Sequence, residues 1–162
     1  MEKIAEALAN KQQCNIVIRD VCKAFDKVWQ QGLKYKILQL GLPDILTKSL
    51  CTFLDNRHAY ISIKHHNGPI FQIKSAVPQG SSLSPTLYTI YTADIPAPAH
   101  GSINIMYADD ITQIIVNPSK SRKMMAKRVE NEIKKINLFE EKWKIKTNQS
   151  KFKVIPLATL RN

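Results

Sequence analysis

The chain has 162 residues, 44% of them hydrophobic, which is enough for one apolar core and fits one domain with tails. Its net charge of +11, from 24 Lys and Arg against 13 Asp and Glu, favours nucleic acid as a partner over an acidic small molecule. The sequence contains no apolar run of about 18 residues, so we predict an intracellular protein that does not enter a membrane.

The predicted elements alternate between helices and antiparallel strands, an α+β pattern. Helices follow from apolar residues at intervals of three and four, and strands from β-branched residues and alternating polarity. In chain order we predict a helix over 2–12, a strand over 14–18 that ends at Asp20, a turn or short helix over 20–29, a helix that Gly41 ends, a helix from Pro43 to Leu54, a hairpin of strands 58–64 and 70–76, a helix from Ser84 to Asp94, a hairpin over 103–116, a helix that Pro118 and Ser119 open, and a strand over 152–157.

Turn and cap residues set several of these boundaries. His-Asn-Gly-Pro at 66–69 is predicted to join the strands of the first hairpin, and Ser84 is predicted to cap the helix that begins at Pro85. The last helix carries an apolar stripe, so its Lys and Arg residues fall on the opposite side. The stripe consists of Met125, Val129, Ile133, Ile136, Phe139 and Trp143.

Cysteines and basic residues narrow the function further. Cys14, Cys22 and Cys51 are odd in number, lack a Cys-x-x-Cys pair and have no histidine at zinc-ligand spacing, which predicts reduced structural thiols. Residues 119–153 hold twelve Lys and Arg against four Glu, a charge of about +8. We predict a contact with a phosphate backbone there, and the alternative is an ordinary solvated surface.

Two neighbouring carboxylates, Asp109 and Asp110, fall at the turn of the second hairpin. One interpretation is local, because Asp suits turn backbone. The other is a pair of hard oxygen ligands for Mg²⁺, which needs a third acid. Asp20 supplies it if its strand lies beside the hairpin, although Asp20 can equally cap the next turn and Asp26 can be the second acid. Three converging carboxylates repel one another, so divalent cations are their natural occupants.

Three motifs in fixed order carry a family resemblance: DVCKAFD at 20–26, AVPQGSSLSP at 76–85 and YADD at 107–110. Over residues 14–157 the chain closely resembles the palm of reverse transcriptases from non-LTR (LINE-like, Jockey-like) retrotransposons. The resemblance implies an α+β polymerase palm, with an antiparallel sheet and helices packed on one face. It also implies a remnant of the fingers region at 1–13, a tail at 158–162 and no thumb, so we expect little activity from this chain alone.

The resemblance also assigns metal-binding residues. Asp20 and Asp109 are the expected ligands of two Mg²⁺ ions, with Mn²⁺ as a substitute. Asp110 completes the acidic cluster, and the carbonyl oxygen of Val21 is a further ligand. Lys151 matches the residue proposed to protonate the pyrophosphate leaving group, and the alternative for Lys151 is a surface lysine in a basic tail.

Nucleotide and nucleic-acid contacts follow in the same way. Ala24 and Phe25 are expected at the nucleotide site, where the Phe25 ring would favour deoxynucleotides by clashing with a 2′-hydroxyl; otherwise Phe25 is a core residue. Gln79 is expected to place the incoming nucleotide, and Gly80 to let the backbone approach the template. Arg57 is expected to contact nucleic acid or to support a loop. The implied partners are a dNTP, an RNA template and a DNA primer.

Four residues depart from the family pattern, and Arg19 matters most. Arg19 replaces an apolar residue, Cys22 a common Glu, Ala76 a usual Gly, and Phe152 a small hydroxyl residue. If the Arg19 guanidinium is buried without a partner, it costs several kcal/mol. If it points to the metals, it competes for Asp20. An outward orientation is harmless.

The sequence therefore predicts an RNA-directed DNA polymerase palm, in which the primer 3′-hydroxyl attacks the α-phosphate of a dNTP. The alternative is a non-catalytic nucleic-acid-binding remnant or domesticated palm, which would keep the basic charge without the chemistry. A two-metal nuclease is a minor third interpretation, and Phe25 and the Pro-Gln-Gly turn argue for nucleotide addition instead.

Overall fold

The computed structural model describes residues 2–119 and 121–157, so the predicted tail at 158–162 lies outside the described residues. The helices are α1 (Glu2–Ala9), α2 (Gln30–Gln39), α3 (Asp44–Leu54), α4 (Ser84–Thr92) and α5 (Arg122–Lys142). The strands are β1 (Gln13–Asp20), β2 (His58–Ala59), β3 (Ser62–Ile63), β4 (His66–Asn67), β5 (Phe71–Gln72), β6 (Ile103–Tyr107), β7 (Asp110–Asn117) and β8 (Lys153–Leu157). Contacts divide the chain into two units, one comprising the described residues up to Cys22 and from Ile95 onward, and the other Lys23–Asp94.

The first unit is built on a four-stranded antiparallel sheet in the order β6-β7-β1-β8. β1 pairs with β7 over its whole length, from Gln13 opposite Asn117 to Asp20 opposite Asp110. The other edge of β1 pairs with β8. The condition set for a three-carboxylate cluster, that the strand ending at Asp20 lies beside the second hairpin, is therefore met.

Each face of this sheet is covered by a helix. Met125 and Val129 of α5 pack on Val17, as the apolar stripe predicts. On the other face Ala7 of α1 packs on Cys14. Because side chains alternate along β1, Cys14 and Val17 lie on opposite faces. The antiparallel α+β prediction is confirmed, and the structure adds α1 on the second face.

The second unit is a cluster of α2, α3 and α4. Its buried side chains include Leu33 and Ile37 from α2 and Leu87 and Tyr91 from α4. Gly32 allows a close approach at the start of α2, since a Cβ atom there would lie 2.4 Å from the Trp29 ring. The boundaries of α2 and α3 agree with the predicted helices.

The first hairpin differs from its prediction. Instead of two long strands it consists of two short ladders, β2 with β5 and β3 with β4. Its turn lies at Lys64, with a φ of 55°, so the predicted turn at 66–69 is wrong. Gly68 serves a different purpose, because its N–H donates to the oxygen of Ile61 at 2.8 Å and a Cβ atom would crowd that oxygen.

Two helix starts also differ from their predictions. Ser84 is the first residue of α4 rather than its cap, and its hydroxyl donates to the oxygen of Pro78. α5 begins after Ser121, whose Oγ accepts from the N–H of Met124, and not at Pro118. Among the described residues, the helices are all too short or too polar to cross a membrane.

Candidate functional site

The acidic residues of the first unit meet at one end of the sheet. Asp20 ends β1 and Asp110 begins β7, and the two are direct partners in the ladder. Partners in antiparallel strands have Cβ atoms about 4.5–5.5 Å apart and project from the same face. Because Val17 and Ile115 face α5, the carboxylates of Asp20 and Asp110 lie on the opposite face.

Asp109 lies in the two-residue turn between β6 and β7. The turn follows Tyr107 and is closed by its pairing with Asp110. Its first residue, Ala108, has a φ of 50°, a conformation that costs a non-glycine residue about 1 kcal/mol or more. The oxygen of Asp109 accepts from the N–H of Val21 at 3.0 Å. The turn is thereby tied to the end of β1.

Two polar side chains lie on the Asp20 carboxylate. Lys151 Nζ is 2.9 Å from Oδ1, and Asn148 Nδ2 is 3.4 Å from Oδ2. The hydrogen bond and charge of Asp20 raise the pKa of Lys151, and the charges of Asp110 and Asp109 act in the same direction. Like charges opposite each other destabilise a sheet, so this ammonium offsets the repulsion between the carboxylates. The family resemblance, which also covers the stretch from Trp143 through Asn148 to Lys151, assigned a role to Lys151 but none to Asn148.

The carboxylate oxygens at this end of the sheet are the type of ligand that a divalent metal ion prefers. Asp20, Asp109 and Asp110 offer hard carboxylate oxygens, which Mg²⁺ prefers. Across residues 2–119 and 121–157, no three side chains of His, Cys, Asp or Glu are placed together so that they could hold an ion. Coordination at this end of the sheet therefore needs a rotation of carboxylate side chains.

The segment after α5 extends the sheet beyond the end of β1. Asn148 donates its main-chain N–H to the oxygen of Asp20 at 2.7 Å. Cys22 donates to the oxygen of Lys146 at 2.8 Å, and Val21 forms a bridge with Thr147. Asp20 is thus held by main-chain bonds on the side of β1 that is away from Asp109.

Arg19 adopts none of its three predicted states. Its guanidinium points inward, away from the Asp20 carboxylate, and the residue is 1% exposed. It is paired there, with Nη1 3.1 Å from both Glu140 Oε1 and Asn137 Oδ1. Burial lowers the pKa of Arg19, while the charge and hydrogen bond of Glu140 raise it. The concern about an unpaired buried charge was wrong because α5 supplies a carboxylate.

In the second unit, Phe25 stacks on a tyrosine. The ring of Phe25 lies 4.9 Å from the ring of Tyr88, at 30° to it, and is half-buried. Ala24 is buried. Gln79 is exposed and donates from Nε2 to Oδ1 of Asp26 at 2.5 Å. The assignment of Ala24, Phe25 and Gln79 to a nucleotide site stays a prediction.

The remaining predicted residues of this unit lie around the Pro-Gln-Gly turn. Gly80 has a φ of 83° and is exposed, with open space where a Cβ atom would be. Arg57 Nη1 donates to the oxygen of Ala76 at 3.2 Å. This contact supplies the loop-supporting alternative for Arg57, and the nucleic-acid contacts of Gly80 and Arg57 stay predictions.

The exposed side of α5 is strongly basic. The helix buries Met125, Val129, Ile136 and Phe139. Its exposed cations are Arg122, Lys123, Lys127, Lys134, Lys135 and Lys142. The predicted separation of apolar stripe and basic side is confirmed, and the basic side offers a surface for a polyanion.

Comparison with known proteins gives consistent similarities in sequence. A family model described as reverse transcriptase (RNA-dependent DNA polymerase) matches residues 1–158. The chain is 32% identical over 161 residues to a probable RNA-directed DNA polymerase from transposon X-element of Drosophila melanogaster, covering 93% of the chain and 17% of that protein. It is 30% identical over 155 residues to the RNA-directed DNA polymerase from mobile element jockey of the same species, covering 90% and 16%. The chain therefore spans about a sixth of these relatives.

Solved structures with a similar fold come from telomerase of Candida tropicalis. An apo form truncated from its C-terminal domain has a TM-score of 0.70 and 15% identity, over 96% of this chain and 33% of the other. A complex with a TWJ fragment of telomeric RNA has a TM-score of 0.71 and 16% identity, over 96% and 29%. This likeness confirms the predicted polymerase palm fold.

Proposed function

The chain belongs to the reverse transcriptase family, as its resemblance to non-LTR elements predicted, and from that premise we propose that it is the palm of an RNA-directed DNA polymerase. The observation that carries the proposal is the pairing of Asp20 with Asp110 beside the Asp109 turn. The pairing brings acids that are about 90 residues apart in sequence to one sheet end. Hard oxygens in such a cluster suit divalent-metal chemistry on phosphates.

In the first unit, Asp20, Asp109 and Asp110 hold the metal ions in this proposal, with the carbonyl oxygen of Val21 as a further ligand. Two bound Mg²⁺ ions would activate the primer 3′-hydroxyl and stabilise the leaving oxygen. Lys151, whose ammonium is protonated at neutral pH and lies 2.9 Å from Asp20 Oδ1, donates a proton to the departing pyrophosphate. Asn148 donates from Nδ2 to Oδ2, the other oxygen of the Asp20 carboxylate, and so orients it.

In the second unit, we propose that Ala24, Phe25 and Gln79 contact the incoming dNTP. The ring of Phe25 is fixed against Tyr88, so it cannot readily move away from a 2′-hydroxyl. Gly80 and Arg57 contact the nucleic acid in this proposal. Because the polymerases it resembles are about six times longer, we propose that this stretch alone adds nucleotides only feebly.

Single-nucleotide incorporation tests the polymerase function. The 162-residue chain, in excess over a DNA primer annealed to RNA, is given Mn²⁺ and one complementary dNTP. We expect trace extension that Asp109→Asn abolishes and that Asp44→Asn, an exposed acid of α3, preserves. Extension that is equal in the Asp109→Asn variant and the wild type contradicts the proposal.

A non-catalytic nucleic-acid-binding function is the second candidate, and the exposed cations of α5 favour it. Binding through phosphate contacts weakens steeply with salt. Replacing Lys123 and Lys127 together by Gln should lower the slope of log affinity against log salt by about 2, at roughly one unit per lost phosphate contact. Lys3→Gln, on α1 and paired with Glu6, is the matched control. Binding to an RNA–DNA hybrid that does not respond to salt eliminates this candidate.

A further inference from the structure

We infer that a buried network of Arg19, Glu140 and Thr147 positions the segment that holds both carboxylate oxygens of Asp20. Arg19 and Thr147 are then positioning residues for the acidic end of the sheet. The inference deepens the proposed polymerase function and rests on it, because it concerns how the Asp20 carboxylate is held for metal binding.

Glu140 joins two parts of the chain beneath the sheet. Its Oε1 accepts from Arg19 Nη1 at 3.1 Å and also from the hydroxyl of Thr147. Arg19, Glu140 and Thr147 are buried, with exposed fractions of 1%, 8% and 3%. The same guanidinium donates to Asn137 Oδ1 and lies 5.1 Å above the ring of Phe152. One carboxylate of α5 therefore fixes both the end of β1 and the segment that follows α5.

The segment containing Thr147 carries the residues that contact Asp20. Thr147 bridges to Val21, and the neighbouring Asn148 donates its N–H to the oxygen of Asp20 at 2.7 Å. Asn148 Nδ2 and Lys151 Nζ then lie on the two oxygens of the Asp20 carboxylate, at 3.4 and 2.9 Å. Arg19 and Asp20 project from opposite faces of β1. The contact of Arg19 with Glu140 on one face of β1 thus positions Asn148 and Lys151 against the Asp20 carboxylate on the other face.

The network contributes more to the position of the segment containing Thr147 than to the free energy of unfolding of the whole protein. A buried ion pair can often be replaced by apolar side chains of similar volume with little or no loss of stability, whereas removal of one partner is strongly destabilising. The hydroxyl of Thr147, however, has no apolar substitute, because only a donor can bind the Glu140 oxygen. Removal of that hydroxyl should loosen the segment selectively.

Amide hydrogen exchange followed by NMR tests this selectivity. The reporters are the N–H groups of Cys22 and Asn148, which bond across the segment, and the N–H of Val17 in the middle of β1. In Thr147→Val we expect Cys22 and Asn148 to exchange about tenfold faster while Val17 keeps its rate. Thr147→Ser retains the hydroxyl and should keep the wild-type rates. Equal acceleration of all three amides, or none, overturns the inference.

The double variant Arg19→Leu with Glu140→Leu separates positioning from packing. It removes both charges together, so Val17 should keep its protection while Cys22 and Asn148 still exchange fast, since Thr147 lacks its acceptor. Wild-type protection of all three amides in the double variant contradicts the inference. If the double variant does not fold, the comparison of Thr147→Val with Thr147→Ser tests the inference by itself. No metal or nucleotide is used, so failure here is distinct from failure of the Asp109→Asn extension test.

Discussion

Ala76, which stands where the family pattern has glycine, keeps a backbone conformation that favours glycine. Its φ of 79° lies in the region that favours glycine, and the family pattern has glycine at this position. The strained conformation is kept because the N–H of Ala76 donates to Val28 at 3.0 Å. Its oxygen accepts from both Gln30 and Arg57, each at 3.2 Å. The loop thus overrides the preference of the side chain.

Ala76→Gly should therefore stabilise the protein by about 1 kcal/mol, through relief of this strain. The measurement is the free energy of unfolding from urea titration. Ala126→Gly is the matched control, since Ala126 lies exposed inside α5 and its replacement should cost about 0.5–1 kcal/mol. A loss of stability in Ala76→Gly as large as that of the control would contradict the strain argument.

Lys151 acts as a built-in cation at the acidic end of the sheet. Its Nζ lies on Oδ1 of Asp20, the same oxygen that the polymerase proposal gives to a metal ion. Lys151→Gln should therefore bind Mn²⁺ severalfold more tightly, because one competitor for the carboxylate is removed. Titration of free Mn²⁺ by electron paramagnetic resonance measures this, with Lys127→Gln as control. Unchanged affinity in Lys151→Gln would refute the competition.

Arg19 marks the limit of sequence reasoning for single residues. The motif placed it next to Asp20 in sequence, but its orientation was left open between the core, the metals and solvent. Its partners Asn137 and Glu140, however, are 118 and 121 positions away in the chain. No local pattern indicates such a pairing. The ring of Phe152, another departure from the family pattern, lies against the guanidinium, so the two departures contact each other.

At the scale of elements, α1 shields the first half of β1. Cys14 is fully buried between Ala7, Ile114 and Val116. Burial raises the pKa of this thiol, because the thiolate cannot be solvated there. A group whose pKa is raised on folding stabilises the protein below its unfolded pKa, and the stabilisation is lost as the pH rises through the folded pKa. For Cys14 this window lies on the alkaline side of the ordinary thiol pKa.

The free energy of unfolding should therefore fall more steeply above about pH 8.5 in the wild type than in Cys14→Ala. Subtraction of the two profiles isolates Cys14 from the lysines and tyrosines that titrate in the same range. In the native protein, thiol-labelling reagents should modify the half-buried Cys22 and Cys51 well before Cys14. Parallel pH profiles, or equal labelling rates of the three thiols, would show that α1 does not shield the strand.

Long periodic elements were predictable, whereas short ladders and helix starts were not. The stripe of α5 and the β-branched runs of β1 and β7 follow from burial, so the predicted helix and strands are present in the structure. The prediction of the first hairpin was wrong because its alternating runs are mostly exposed, so burial does not fix their pairing. The turn lies at Lys64, whereas the sequence pattern placed it around Gly68. The predicted helix starts were wrong because several serines near each start can act as the N-cap, as Ser119 and Ser121 can before α5.

At the scale of the molecule, family and fold were readable from sequence because three motifs stand in fixed order. The structure adds the register that brings Asp20 of the first motif opposite Asp110 of the third. The chain spans 16–17% of the length of two of its relatives. The acidic end of the sheet, in contrast, lies within the described residues, so the proposed metal binding can be tested in this chain.

The most direct test of the account is Mn²⁺ binding by the 162-residue chain without nucleic acid, followed by electron paramagnetic resonance. We expect Asp20→Asn and Asp109→Asn each to weaken Mn²⁺ binding by about tenfold or more, since each removes a proposed ligand. The matched variant Asp44→Asn, on the exposed surface of α3, should bind as the wild type does. Equal Mn²⁺ affinity in the wild type, Asp20→Asn and Asp109→Asn would contradict a metal centre at this end of the sheet.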